Sequence, residues 1–537
     1  MTTTSRYPIP DTRSAGEAGH WWDEAVGYEV YVRSFADSNG DGIGDLAGIA
    51  ERLPHLADLG VDVIWLTPFY PSPQADFGYD VADHTDVDPT HGTLADFDEL
   101  LARAHDLGLR VMVDLVPNHT SSEHRWFRSA LGEGVDSPFR DHYVWRDPAP
   151  DGGPPNNWFS IFGGRAWTFD EASGQYYMHL FLPEQPDLNW AEPAVGEAFT
   201  EILRFWLARG VDGFRIDVAH SLTEDPSFAD NPPSPDLPPG TEPTEFDHLD
   251  HVHDLDQASN VDVYRSWRPI ADEADALLLG EVYLAEPERV WRYVDDGALH
   301  RAFFFGLNRR DWDPVAFAAD LRHAAAVIPQ GWAWVQGSHD ESRNVSRFGG
   351  GDLGVERALA LWVAMFGLPG TPVLYQGEEL GLPDGEVAPE DRLDPVAAVR
   401  PDDARDPART PMPWTTGRHH GFTTGEPWLR SAPRPPGETL EHQARDAGSP
   451  YRRMRDLLWA RRRTRVGRRG AVRWWPAPPG VVAYARDGVA HAANLTDVPV
   501  TVAPRGSWVV DHAVGEVTLD DAGLRLGPRA GAILEGA

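Results

Sequence analysis

Short runs of branched and aromatic residues recur along the chain: VGYEVYV (26–32), VDVIWL (61–66), RVMVDLV (110–116), VDGFRID (211–217), ALLLGEV (276–282), HRAFFF (300–305), WAWVQGS (332–338) and TPVLYQ (371–376). Runs of this length and composition between polar segments predict eight buried strands. Amphipathic stretches such as LADFDELLARAHDLG (94–108) lie between them and predict helices. Strands alternating with helices imply parallel β/α units, and eight such units predict an α/β fold of the closed (β/α)8 TIM-barrel type. The rival architecture is a doubly wound open sheet, which the lack of a GxGxxG segment after the first run disfavours.

Two stretches interrupt this rhythm. Residues 120–185, between the third and fourth strands, are long enough for an inserted B subdomain. Residues 223–262 are acidic and contain NPPSPDLPPGTEPTE (231–245). So many prolines exclude a helix there, leaving a substrate lid over the carboxyl face of the barrel or a disordered excursion. From about residue 470 the pattern changes to period two in VRWWPA, GVVAYAR, GVAHAANL and VPVTVAP, which predicts a C-terminal antiparallel β-sandwich. The expected plan is a barrel over 1–119 and 186–469, an insertion over 120–185 and a β domain over 470–537.

Composition narrows the chemistry. The 537 residues carry 47 basic and 84 acidic side chains, a net charge of −37, and every basic residue is arginine. Lysine Schiff-base chemistry is thereby excluded. So negative a field repels nucleic acid and anionic membranes and accepts a neutral small substrate. Cysteine is absent, which removes disulfides and thiolate chemistry. Residues 1–10 hold no apolar stretch of signal length and no run of about 18 apolar residues occurs anywhere, so the expected location is cytoplasmic, as a monomer or homodimer. The arginine cluster Arg461, Arg462, Arg463, Arg465, Arg468 and Arg469 is expected to be a solvated helix end paired with carboxylates.

Catalytic groups of such barrels sit at the carboxyl ends of the strands. There the third strand carries Asp114, the fourth ends in Arg215-Ile216-Asp217, the fifth in Gly280-Glu281, and the seventh leads into His339-Asp340. A charged residue that merely ends a strand explains each alone, but four carboxylates converging on one pocket suit glycoside cleavage. That reaction needs one carboxylate at the anomeric carbon and one acid for the departing oxygen. Arg215, on the same strand face as Asp217, is expected to keep Asp217 ionised while Glu281 holds its proton longer.

DLVPNHT (114–120), GFRIDVAH (213–220), GEVY (280–283) and SHDESR (338–343), with QPDLNW (185–190) and GTPVLYQGEELGL (370–382), resemble motifs of glycoside hydrolase family 13, the α-amylase superfamily, in its oligo-1,6-glucosidase and α-glucosidase branch. The resemblance implies that Asp217 is the nucleophile, Glu281 the general acid/base and Asp340 the carboxylate stabilising the transition state. It implies sugar contacts for His119, His339 and Arg215, and for Phe181 and Gln185. FGYD (77–80) resembles the segment whose tyrosine stacks on the terminal glucose and whose aspartate binds its 4-hydroxyl, here Tyr79 and Asp80. ARDPARTPMPW (404–414) resembles the segment supplying that aspartate's arginine partner, here Arg405 ahead of Arg409. Such a pair closes the pocket and makes cleavage exo-acting.

Asp37-Ser38-Asn39-Gly40-Asp41-Gly42-Ile43-Gly44-Asp45 alternates oxygen donors as a calcium or magnesium turn does, but the twelfth position is Gly48 and not glutamate, so it is no EF-hand. It resembles the metal loop of the same branch, implying a structural ion held by Asp37, Asn39, Asp41, the Ile43 carbonyl and Asp45, with no organic cofactor. The reading is an exo-acting retaining α-glucosidase acting on maltose- or isomaltose-type glucosides. Val218 after the nucleophile resembles α-1,6-acting relatives, while DVAH (217–220) also resembles enzymes acting on maltose-type α-1,4 bonds, which together imply a broad α-glucosidase. The alternatives are glucosyl transfer of the trehalose-synthase kind and an inactive binding subunit, against which the retained carboxylates and histidines count.

Overall fold

The structure, a computed structural model, describes residues 19–238, 240–295, 297–308, 310–464 and 470–536. The eight predicted runs form strands β1 (Gly27–Val30), β2 (Val63–Leu66), β3 (Arg110–Leu115), β4 (Gly213–Ile216), β5 (Leu277–Gly280), β6 (Arg301–Phe304), β7 (Trp332–Trp334) and β8 (Gly370–Tyr375). All pair in parallel and β8 closes on β1. The (β/α)8 barrel is therefore the architecture, and the open sheet is excluded.

Alternation along the strands sorts side chains between two cores. Val63, Trp65, Met112, Leu277, Leu279, Phe303, Ala333 and Val373 fill the barrel interior. Residues of opposite parity, such as Ile64, Val111, Val113, Phe214 and Leu278, pack outward against the helices. Register aligns Glu29 with Trp65, and Asp114 with Arg215. These three polar residues thus share the inward parity and stand above the apolar plug. Ile216 pairs with Gly280, so Asp217 and Glu281 are the next residues on adjacent strands. One register explains why they meet.

The connecting helices carry ordinary stop and start signals. Asp45 caps Leu46–Leu59 by accepting from Gly48 N, and the helix ends at Gly60 in the left-handed region. The segment 120–185 contains a three-stranded antiparallel sheet (Trp145–Arg146, Gln175–Met178, Trp167–Asp170) with its own small core around Trp158 and Trp167. The proline-rich excursion is docked rather than loose: Asn156, Asn157 and Trp158 donate to Phe228, Asn231 and Ala229 carbonyls. Beyond residue 470, a five-stranded and a three-stranded antiparallel sheet enclose a shared core. They seat on helix Gly351–Met365, where Tyr484 Oη donates to Ala364 O at 2.9 Å.

In the arginine cluster, Arg461 donates to Phe366 and Glu24 carbonyls, while Arg462 and Arg463 pair with Asp62 and Asp511. Arg465, Arg468 and Arg469 lie outside the described residues. Among the described residues no helix is long and apolar enough to cross a membrane.

Candidate active site

The carboxyl ends of β3, β4 and β5 gather three carboxylates on one guanidinium. Arg215 Nη1 donates to Asp217 Oδ1 at 2.5 Å and to Asp114 Oδ1 at 3.0 Å, and its Nη2 lies 2.7 Å from Glu281 Oε1. The chain leaves β4 through a kink. Val218 has φ +35°, in the left-handed region that a β-branched residue avoids, and its N–H donates to Glu281 Oε2 at 2.9 Å. The strain directs a main-chain donor at the acid partner.

Burial pushes Asp217 well above the usual carboxylate range, with Glu281, Asp114 and Asp340 adding to the rise and Arg215 opposing it. Asp114 is pushed up to about 7, again by burial against the pull of Arg215. Arg215 opposes that rise, the direction expected of a group that holds Asp217 ionised, but its single charge is divided among three acids. One positive charge against three carboxylates favours retention of a proton by the cluster.

A second cluster lies beside it. Asp340 Oδ1 accepts from Arg409 Nη2 at 2.7 Å and Arg405 Nη1 at 3.1 Å. Arg405 also binds Asp394 at 2.7 Å and Asp76 at 3.0 Å. Although burial alone would raise Asp340, the guanidiniums of Arg405 and Arg409 carry it far below the usual range, and Arg405 brings Asp394 down to about 2 against the rise from its own burial. Asp76 still rises to about 6, its burial outweighing both arginines.

This geometry corrects the assignment of Asp80. Its carboxylate is consumed inside its own turn by Ser72 Oγ and the N–H groups of Ala75 and Asp76. Asp76 is the residue that meets Arg405, and Gln185 Nε2 donates to it at 3.3 Å. Arg409, ranked second in sequence, shares Asp340 with Arg405.

The remaining residues close the wall between the clusters. Tyr79 Oη donates to Asp114 Oδ2 at 3.1 Å and lies 2.9 Å from His339 Nε2, its ring nearly parallel to that imidazole. His119 bonds Gln185 Nε2 at 3.0 Å and Asn118 Oδ1 at 2.8 Å, and Phe181 packs on its ring. Burial lowers His119 to about 3 and His339 well below its usual value, so both are neutral imidazoles. His339 Nδ1 contacts Glu29, a buried glutamate on β1 that sequence reasoning passed over. Its signal was an acid at an inward position of an otherwise apolar strand.

In the loop 37–45, Asp37 Oδ1 accepts from Asn39 and Gly40 N, Asn39 Oδ1 from Asp41 N, and Asp41 Oδ1 from Ile43 N. Asp45 is engaged by Ser38 and as the helix cap. Among the described residues no three acids or histidines gather closely enough to hold a metal by themselves. Asp37, Asn39, Asp41, the Ile43 carbonyl and Asp45 are nevertheless the all-oxygen donor set that suits a hard cation.

Residues 29–470 match the model of the alpha amylase catalytic domain. The chain is 43% identical over 442 residues to a probable alpha-glucosidase of Rhizobium meliloti, covering 80% of this chain and 78% of that one. Among solved structures, an alpha-glucosyl transfer enzyme, XgtA, superposes with a TM-score of 0.91 at 38% identity, covering 97% of this chain and 100% of that one. The trehalulose synthase MutB of Pseudomonas mesoacidophila gives 0.84 at 32%, covering 96% and 100%.

Proposed function

The chain belongs to the α-amylase family, glycoside hydrolase family 13, in its α-glucosidase branch, and from that premise we propose that it is an exo-acting, retaining α-glucosidase releasing glucose from the non-reducing end of short maltose- or isomaltose-type glucosides. The observation carrying the reading is the guanidinium of Arg215 bonded at once to Asp217 and Glu281, on adjacent strand ends. In the first step Asp217 attacks the anomeric carbon while Glu281 gives its proton to the departing glycosidic oxygen. A glucosyl ester on Asp217 forms and the aglycone leaves as an alcohol. Glu281 then takes a proton from water, whose oxygen attacks the same carbon and frees glucose and the Asp217 carboxylate.

Asp340, held anionic by two arginines, faces the charge that builds on the ring. Asp76 and Arg405 would bind the terminal hydroxyls and block a longer chain, with Tyr79, His119, Phe181 and Gln185 shaping the rest of that end. A calcium or magnesium ion on Asp37, Asn39, Asp41, the Ile43 carbonyl and Asp45 would stiffen the loop and take no part in the reaction. The reading includes a cytoplasmic monomer or homodimer, checked by fractionation and light scattering.

A second reading, interception of the glucosyl ester by a sugar, draws support from the likeness to the glucosyl transfer enzyme and to trehalulose synthase. Incubation with maltose, isomaltose, sucrose, trehalose or soluble starch, with chromatography of all products, separates the two. Glucose from disaccharides with starch untouched supports the exo-glucosidase. New disaccharides as the main product would replace it with transfer.

A further inference from the structure

The loop bearing His339 and Asp340 is short, and both catalytically placed side chains depend on where its main chain runs. Arg347, in the turn of helix Asn344–Arg347 that follows, grips that main chain from behind. Its Nη2 donates to Gln336 O and its Nε to Ser342 O at 2.9 Å, so one planar group holds the chain on both sides of His339 and Asp340. Its Nη1 donates to Leu307 O at 2.9 Å and Arg310 O at 3.4 Å, which ties the same loop to the segment after β6.

Between the two loop contacts lies Gly337. A Cβ there would stand 3.2 Å from Glu378 Oε1, and both Glu378 carboxylate oxygens are buried with no hydrogen-bond partner among the described residues. A side chain at 337 would push on that carboxylate, and Glu378 stands behind the loop as a second wall. Four main-chain carbonyls on one guanidinium use its fork geometry, which an ammonium group cannot reproduce.

We propose that Arg347 is a positioning residue for the reaction: it fixes where the Asp340 carboxylate stands relative to the sugar, acting through the main chain at Gln336 and Ser342. This rests on the glycosidase reading for the task of Asp340 and on the contacts alone for the clamp. A displacement of about 1 Å in a group that must meet a transition state costs about 100-fold in rate.

The test compares the full-length protein with Arg347→Lys, Arg347→Ala and Glu378→Gln. For Arg347→Lys the clamp predicts kcat lower by about 30-fold on the best disaccharide with KM within about threefold. It also predicts that 1-deoxynojirimycin, a cationic glucose mimic, binds more weakly by a similar factor in calorimetry. Amide exchange across 336–342 should accelerate, while Glu378→Gln, which leaves the four carbonyl contacts in place, changes kcat less than about threefold. If Arg347→Ala does not fold, the lysine variant decides. A folded lysine variant with wild-type kcat, mimic affinity and exchange overturns the proposal, as does a loss matched only by a lower folded fraction. If the wild-type enzyme cleaves none of the disaccharides, the glycosidase reading fails, and exchange across 336–342 still tests the clamp.

Discussion

The two clusters at the mouth of the barrel differ in how many cations serve their acids. Around Arg215, one guanidinium bonds Asp114, Asp217 and Glu281. Around Asp340, two guanidiniums serve Asp340, Asp394 and Asp76. Asp217 and Asp114 rise, while Asp340 and Asp394 fall. Burial raises the acids of both, and the two guanidiniums reverse that rise at Asp340 and Asp394, though not at Asp76, which meets Arg405 alone and still rises to about 6. A site that must move a proton needs acids short of cations; an acid that must stay anionic beside the sugar, as Asp340 must, needs them in supply.

The largest break of this contrast removes one acid from the short-handed cluster. Asp217→Asn should lower kcat by roughly 10⁴ while the variant still binds disaccharide. Stopped assays together with calorimetry of the bound sugar read both, and turnover within tenfold of wild type would end the nucleophile assignment. Removing a cation from the better-supplied cluster should do less. Arg405→Ala leaves Arg409 on Asp340 but strips Asp394 and Asp76 of their shared partner, so kcat/KM should fall by roughly 100-fold and stability by about 3 kcal/mol. Kinetics and thermal unfolding of the same preparation check this, and an unchanged kcat/KM would show that Arg405 closes nothing.

A smaller effect sharpens the argument by changing the ratio without emptying the site. Asp114, pushed up to about 7 from an ordinary 3.8, keeps its proton in the folded state where the unfolded chain has lost it. Wild-type stability from this group is therefore present below about pH 4 and lost as pH rises through about 7. Asp114→Asn removes that loss, so its stability relative to wild type should climb across this window. With one acid fewer on Arg215, the alkaline limb of kcat/KM should move down by about one pH unit or less. A limb moving upward would mean that Asp114 is not sharing that cation.

The strands of the barrel were legible because period-two burial and the β/α rhythm act locally, and the register then carried Asp217 and Glu281 to one place. The pocket's closing end was less legible. Asp76 and Asp80 sit four apart in one turn, and only the fold shows that the amides of Ala75 and Asp76 occupy Asp80 while Asp76 is left for Arg405. Asp394 comes from a segment with no motif, 54 residues beyond Asp340 in the sequence, where it also accepts from Val396 N and donates its N–H to Asp406, and only the fold brings its carboxylate to Arg405. Glu29 was visible as a misplaced charge, but its meaning required His339 beside it.

The comparison extends to a third acidic group, and there the ratio reaches zero. Asp37, Asp41 and Asp45 receive only N–H and hydroxyl donors, and among the described residues no guanidinium pairs with them. Gly42 holds the loop tight, since a Cβ there would overlap Glu426 O at 1.9 Å. If cation supply governs these clusters, this one calls for an ion from solution. Dialysis against EDTA should then lower Tm by roughly 2–4 °C, restored by calcium or magnesium, with kcat at 25 °C unchanged because Asp217, Glu281 and Asp340 lie outside the loop. A Tm indifferent to both treatments would mean that main-chain amides alone satisfy these carboxylates, and the rule drawn from the two catalytic clusters would stop at the barrel mouth.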